Sequence, residues 1–168
     1  VHVLLLQWEH SDLVDLPKQV QRLGEVFEVD YGFQVEHFTI PVKESDIQLG
    51  QRLQKWVGAY DHDEALLILY YGGHGGRKGY NRNTVCSVLW NPFHDFVQRA
   101  SADKLFILDC CYASTGIVPT SPRGASEMLC ATGLDTVAYA GPSSFTGALA
   151  ACLEDLAKLG PFSVSTLH

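Results

Sequence analysis

The sequence is short of positive charge. Lysine and arginine together number 12, against 19 aspartates and glutamates, so the formal net charge is −7 and the isoelectric point is about 5.4. Such a chain lacks the basic surface with which proteins bind nucleic-acid backbones or anionic lipid. We therefore expect neither a nucleic-acid partner nor a membrane partner.

The sequence also lacks long apolar runs and a regular set of cysteine pairs. Its longest apolar run covers residues 65–71, far short of the roughly 20 residues that a membrane-spanning helix needs. The first residues do not combine a charged head, an apolar stretch and a small-residue cleavage site, so we predict no signal peptide. The 5 cysteines are an odd number, and Cys110 is next to Cys111. This pattern indicates reduced thiols and a cytoplasmic location.

What the sequence does contain is apolar material in short, separate runs. Hydrophobic residues make up 46% of the 168 residues and charged residues 18%, which is enough for one packed core. Runs typical of buried strands alternate with segments whose apolar residues recur at helical spacing. The alternation predicts a single α/β domain over residues 1–168, a three-layer sandwich around a mostly parallel sheet. The predicted strands are residues 1–8, 33–41, 65–71, 104–111 and 128–132, and the predicted helices are residues 12–32, 45–57, 92–102 and 144–160.

Two of the predicted strands end in residues that can do chemistry. The run ALLILYY continues into GGHGG and so places His74 in a glycine-rich turn, while KLFILD continues into CCYAS and its two thiols. In open α/β sheets, reactive groups lie beyond the carboxyl ends of the strands. If the two strands are neighbours, His74 and one cysteine face the same cleft. An imidazole near a thiol is the usual arrangement that produces a nucleophilic thiolate.

The glycines around His74 suit the same chemistry. Without Cβ atoms they let a substrate backbone approach closely, and the turn can direct an N–H group at a developing oxyanion. We expect the N–H of Gly75 in that role, with the N–H of Cys111 as a second donor.

Other interpretations of these two motifs are weaker. Each motif alone is more typical of a structural or exposed histidine and of a buried cysteine. Adjacent cysteines do not have the spacing of a structural zinc site. The sequence GGHGG also lacks the Lys-Ser/Thr of a phosphate-binding loop. The presence of both motifs, each after an apolar strand, favours a thiol–imidazole pair.

Taken in order, the two motifs resemble a known family. YYGGHGG resembles the histidine motif of caspase-like cysteine peptidases, and LDCCYAS resembles the metacaspase cysteine motif Asp-Ser-Cys. The resemblance covers most of the chain and is nearest to fungal caspase-domain proteins. It implies a caspase-like fold and a cysteine endopeptidase that acts on a protein or peptide substrate. By this resemblance His74 is the general base and Cys111 is the nucleophile, because Cys110 takes the place of the motif serine.

The resemblance also implies a substrate pocket. Asp109 corresponds to a metacaspase aspartate that lines the pocket for the residue before the scissile bond, which favours arginine or lysine. Asp12 is the best candidate for a second pocket carboxylate and Glu9 is the alternative. Asp12 is equally well explained as a solvated loop charge or as a helix N-cap. Gly72 stands where metacaspases often have serine, so the pocket lacks one hydroxyl.

Three further expectations follow from the resemblance. Metacaspases commonly depend on calcium, but the densest acidic group, residues 61–64, has no recognisable calcium loop, so calcium activation stays open and no other cofactor is expected. The connection 114–126 is a candidate processing loop, with self-cleavage predicted after Arg123. The alternative to an enzyme is an inactive caspase-like domain that acts as a regulatory or protein-binding module.

Overall fold

The chain folds around a parallel β-sheet. The computed structural model describes residues 1–75, 90–111, 123–132 and 144–167. Within these residues the sheet has 5 strands, all parallel, in the order β2-β1-β3-β4-β5. The strands are β1 His2–Trp8, β2 Gln34–Ile40, β3 Leu66–Gly72, β4 Asp103–Asp109 and β5 Ser126–Cys130.

Helices cover both faces of this sheet. They are α1 Leu16–Val29, α2 Ser45–Tyr60, α3 Trp90–Gln98 and α4 Phe145–Leu156, followed by a 3₁₀ turn at Val164–Leu167. One buried apolar cluster joins the sheet to α1 and α4, and a second joins it to α2 and α3. The chain is therefore a three-layer α/β sandwich, as the sequence predicts, and the described strands are entirely parallel.

Burial on both faces explains why the central strands have continuous apolar sequences. In β4, Leu105 and Ile107 pack in the α1/α4 layer, whereas Phe106 and Leu108 pack in the α2/α3 layer. Successive side chains of a strand point to opposite faces, so a strand covered on both sides has no polar face to show. Each such fully buried side chain contributes roughly 1.5–3 kcal/mol from the loss of its contact with water.

All four helices differ from their predicted bounds at one end or both, and α1 and α4 show the physical reasons most clearly. α1 begins at Leu16, because Pro17 has the fixed φ and the missing N–H that suit a first turn. α4 was predicted to continue to Gly160 but ends at Leu156. Beyond it, the N–H of Leu159 bonds to the carbonyl of Leu156, and this tighter turn leads to Gly160, which has a left-handed φ of 99°.

A cavity lies at the amino-terminal end of the sheet. Its volume is about 400 Å³, and it is enclosed by α1, α4, residues 160–167 and the amino-terminal halves of β3 and β4. Its lining is largely apolar and includes Phe27, Tyr31, Phe33 and Phe162. The residues that line this cavity do not include the histidine and cysteine motifs at the carboxyl ends of the strands.

The helices were also compared with the requirements of a membrane span. Among the described residues, no helix is both long enough and apolar enough to cross a membrane.

Candidate active site

The turns that follow β3 and β4 pack directly against each other. The two strands are neighbours, and their last residues, Gly72 and Asp109, are paired in the register. Just beyond, the N–H of Gly73 donates to the carbonyl of Asp109 at 3.1 Å. A Cβ atom at Gly75 would clash with the carbonyl oxygen of Cys111, so only a glycine allows this approach. The structure thus brings the histidine turn and the cysteine turn to the same edge of the sheet.

The two adjacent cysteines are in different environments. Cys110 is 8% exposed and packs in the α2/α3 layer. Burial raises the pKa of its thiol to about 12, with Cys130 and Asp109 adding to the effect. Cys111 is partly exposed. Because the thiolate is the nucleophilic form, the buried Cys110 is unsuited to attack, and Cys111 is the accessible thiol of the pair.

His74 is paired with a carboxylate from another loop. Its Nε2 lies 2.5 Å from Oδ1 of Asp12, and the two side chains are 62% and 78% exposed. The hydrogen bond and the charge of His74 lower the pKa of Asp12. Within the described part of the chain no hydrogen bond joins His74 to Cys111. The imidazole is therefore engaged with Asp12 and not with the thiol.

The structure decides between some of the earlier interpretations of Asp12. The N-cap of α1 is Asp15, so Asp12 is not the helix cap. It is also more than a solvated loop charge, since it has a partner in His74. Glu9, the alternative pocket carboxylate, instead accepts a hydrogen bond from the N–H of Val42 at 3.4 Å.

Two aromatic residues that sequence reasoning missed support the histidine turn. The hydroxyl of Tyr71 donates to the carbonyl of His74 at 2.8 Å, and it accepts from the indole N–H of Trp8 at 3.0 Å. Gly73 has a φ of 156°, and a Cβ atom there would lie 2.8 Å from the same hydroxyl. Strand alternation could have indicated this contact, because Trp8 is the last residue of β1, Tyr71 is the last but one of the neighbouring β3, and both belong to the same layer.

Asp109 connects the cysteine strand to α4. It is 7% exposed, and its Oδ2 accepts from both the N–H and the hydroxyl of Thr146, at 3.2 and 2.5 Å. The Thr146 oxygen is also 2.6 Å from the hydroxyl of Tyr70. Burial raises the pKa of Asp109, although the bonds from Thr146 oppose the shift. A carboxylate at the first turn of α4 is also favoured by the helix dipole.

Gly72 has a steric reason to lack a side chain. A Cβ atom at this position would clash with the hydroxyl of Tyr70 and would lie 3.0 Å from Cδ1 of Leu16. The Tyr70 hydroxyl therefore occupies the space that a serine at position 72 would need.

Asp61, in the acidic group at residues 61–64, is engaged with the backbone before β4. Oδ1 of Asp61 accepts from the N–H groups of Ser101 and Ala102, at 2.6 and 2.9 Å, and so holds the start of β4. In the described ranges no three His, Cys, Asp or Glu side chains are grouped so that they could hold a metal ion.

The candidate processing segment lies only partly within the described residues. Residues 114–122 of the predicted loop 114–126 are outside them, while Arg123 is described and exposed. Gly124 packs closely on the backbone, since a Cβ atom there would clash with the carbonyl of Ala102. Arg123 and Gly124 directly precede β5 and therefore lie at the amino-terminal end of the strands, opposite to Cys111, which follows the carboxyl end of β4.

The chain matches a family of known proteins. The family model Peptidase_C14, described as the caspase domain, matches residues 7–168. The match includes both the histidine turn and the cysteine turn. No curated protein matches the chain.

Proposed function

The chain belongs to the caspase-domain family of cysteine peptidases, and we propose that it is an active endopeptidase with Cys111 as nucleophile and His74 as general base. One observation carries this proposal. Gly75 packs against the carbonyl of Cys111, so the turns that bear the two groups meet at the carboxyl edge of the sheet. Burial of Cys110 leaves Cys111 as the accessible thiol of the adjacent pair.

The proposed reaction is acyl transfer to the thiol. His74 takes the proton of Cys111, and the thiolate attacks the carbonyl carbon of the scissile peptide bond. The N–H groups of Gly75 and Cys111 stabilise the oxyanion. As the C–N bond breaks, His74 returns its proton to the leaving amine. Water then hydrolyses the thioester and regenerates the free thiol.

We propose cleavage after arginine or lysine, as in metacaspases. Asp12 bonds to His74, which follows β3, and Asp109 ends the neighbouring strand β4, so both carboxylates lie at the carboxyl edge of the sheet. A guanidinium group pairs well with two carboxylates because its five N–H groups form a planar fork. Substrates with aspartate before the scissile bond would be repelled by the two carboxylates of the pocket.

Paired substitutions of the adjacent cysteines test the proposal. Cys111→Ala is expected to lower the turnover of a fluorogenic arginine peptide at least about a thousandfold. Cys110→Ala is the matched control and should retain turnover, because that thiol is buried in the α2/α3 layer. Turnover of a matching aspartate peptide reports the charge of the substrate pocket. Each assay is run with and without calcium to measure any metal requirement. Full turnover by Cys111→Ala would contradict the assignment.

One observation favours the alternative function, an inactive domain that serves as a binding module. In this structure His74 is bonded to Asp12, and the described residues include no hydrogen bond from it to Cys111. A peptidyl-arginine electrophile distinguishes the two functions. Covalent labelling of Cys111 supports the enzyme, whereas no labelling with or without calcium supports the module.

We also propose self-cleavage after Arg123, between two molecules. Arg123 precedes the amino end of β5 and Cys111 follows the carboxyl end of β4, a strand of 7 residues that spans about 20 Å. Mixing Cys111→Ala protein with active enzyme should therefore yield cleaved inactive copies by mass spectrometry. Arg123→Gln in the inactive copy should prevent that cleavage. Cleavage at another bond would contradict this assignment.

We further propose a reducing location, the cytoplasm. Cys110, Cys111, Cys130 and Cys152 are all free thiols. A nucleophilic thiol has to stay reduced to act, which a cytosolic redox environment provides.

A further inference from the structure

The contact between Asp12 and His74 assigns the imidazole a partner other than the nucleophile. Oδ1 of Asp12 lies 2.5 Å from Nε2 of His74. In the described residues the imidazole has no hydrogen bond to Cys111. A general base must face the thiol when it takes the proton. The side chain of His74 therefore has to leave Asp12, or share it, before catalysis.

The pair is accessible to a competing cation. The His74 side chain is 62% exposed and that of Asp12 is 78% exposed. Exposed pairs of this kind are weak, because water competes for both partners and the side chains lose freedom when they pair. A guanidinium group offers a carboxylate two parallel hydrogen bonds, where one imidazole nitrogen offers a single bond. An arginine brought to this place is thus a strong competitor for Asp12.

The exchange requires little movement of the backbone. The carbonyl of His74 accepts a hydrogen bond from Tyr71, and Gly75 is packed against Cys111. The main chain on both sides of the imidazole is therefore held. Rotation of one exposed side chain is enough to redirect it, and such rotations are fast.

We propose that the basic side chain of the substrate displaces His74 from Asp12 and thereby releases the imidazole to act on Cys111. This inference rests on the proposed peptidase function and concerns the same site. Asp12 then has two successive partners, His74 in the free enzyme and the substrate cation in the complex. The cation selects the substrate and also activates the thiol.

The exchange can be measured on the thiol itself. Iodoacetamide is small and neutral and needs no substrate pocket, so its rate of reaction with Cys111 reports thiolate formation. Peptide mapping by mass spectrometry is needed, because Cys152 is also exposed. Agmatine supplies a guanidinium group without a scissile bond, and sodium chloride keeps the ionic strength constant. In the wild-type protein, agmatine should raise the alkylation rate of Cys111 several-fold and in a saturable manner.

Substitution of Asp12 gives the second measurement. In Asp12→Asn, Cys111 should be alkylated several-fold faster without agmatine, and agmatine should have no further effect. Turnover of arginine peptides should nevertheless fall, because a pocket charge is lost. Asp15→Asn is the matched control, since Asp15 is an exposed carboxylate in the same connection and its side chain makes no capping hydrogen bond to α1. It should behave as the wild type in both assays.

The possible outcomes separate this inference from the peptidase proposal. Slower alkylation in Asp12→Asn would mean that Asp12 orients the base permanently, and it overturns the exchange. If Asp12→Asn is alkylated at the wild-type rate and agmatine does not change the rate of the wild type, Asp12 is only a charge of the substrate pocket. This result also overturns the exchange. In both cases continued turnover of arginine peptides leaves the peptidase function standing. If Cys111 reacts under no condition and no peptide is cleaved, both proposals fail.

Discussion

The two ends of strands β3 and β4 are built in opposite ways. At the carboxyl ends, backbone packs on backbone, and an added Cβ atom at Gly72 or Gly75 would clash with a neighbouring oxygen. At the amino ends, aromatic side chains surround a cavity of about 400 Å³. Close packing fixes the positions of reactive groups, whereas spare volume tolerates change. We therefore expect substitutions at the carboxyl end of the sheet to lower activity, and substitutions at the amino end to be tolerated without loss of activity.

Among the substitutions that test this comparison, the largest effect is expected for Gly75→Ala. The new methyl group would collide with the carbonyl of Cys111 and push the histidine and cysteine turns apart. Displacement of reacting groups by about 1 Å can lower the rate roughly a hundredfold, and overpacking costs about 1–3 kcal/mol of the free energy of unfolding. Peptide turnover and urea unfolding measure the two effects.

Gly58→Ala is the matched control for this substitution. Gly58 lies in α2, and a Cβ atom there would have nothing within 4 Å. Alanine in place of an exposed helical glycine should stabilise the protein by about 0.5–1 kcal/mol. Equal losses of turnover in both variants would contradict the steric argument.

A second, intermediate effect is expected for Asp109→Asn. If Asp109 binds the substrate cation, kcat/KM for arginine peptides should fall about tenfold or more, since a hydrogen bond to a charged group contributes about 1.5–3 kcal/mol. Asp103→Asn, at the other end of β4, serves as the control because Asp103 bonds to the N–H of Ala125. It should leave kcat/KM unchanged. If Asp109→Asn keeps the preference for arginine, Asp109 does not bind the substrate cation and serves only to contact α4.

Asp109 should also affect the pH dependence of stability. Burial raises the pKa of its carboxyl group, so the folded protein holds this proton more tightly than the unfolded chain does. The resulting contribution to stability is present at acidic pH and is lost as the pH rises through the folded pKa. When the free energy of unfolding is measured from acidic to neutral pH, the wild type should therefore lose stability relative to Asp109→Asn as the pH rises. The opposite trend would contradict the direction of the shift.

The smallest effects compare two tyrosines, one at each end of the sheet. Tyr71→Phe removes the donor to the His74 carbonyl and the acceptor of the Trp8 indole N–H. Leaving such a buried donor unsatisfied costs about 1–3 kcal/mol, and the freed histidine turn should lower turnover. Tyr31→Phe removes the bond to the Leu153 carbonyl near the cavity, which contributes about 0.5–1.5 kcal/mol. Tyr31→Phe should lower stability without lowering turnover. A loss of turnover in this variant would contradict the proposed difference between the two ends of the sheet.

Much of the fold could be predicted from local sequence patterns. The central strands are short apolar runs because both of their faces are buried, and that pattern is readable without a structure. The packing of the histidine turn against the cysteine turn follows from parallel neighbouring strands, whose carboxyl ends share one edge. The end of α4 could not be predicted, because the tighter turn at Leu159 continues the chain towards Gly160 with no change in composition.

The partners of the charged residues could not be predicted. Asp109 bonds to Thr146, and Asp12 bonds to His74, 62 residues away along the chain. Each contact depends on how loops and a helix end are oriented in space. Apolar periodicity carries no information on such orientations, because it records only which face of an element is buried.

The clash between position 72 and the Tyr70 hydroxyl has a consequence for how this protein can change. A side chain at position 72 and the Tyr70 hydroxyl would share one volume, so position 72 cannot take a side chain while Tyr70 keeps its hydroxyl. Serine at position 72 becomes acceptable only after the phenol is shortened, and the order of the two mutations decides whether the intermediate folds. Variants that carry serine at position 72 should therefore also carry phenylalanine or a smaller residue at position 70.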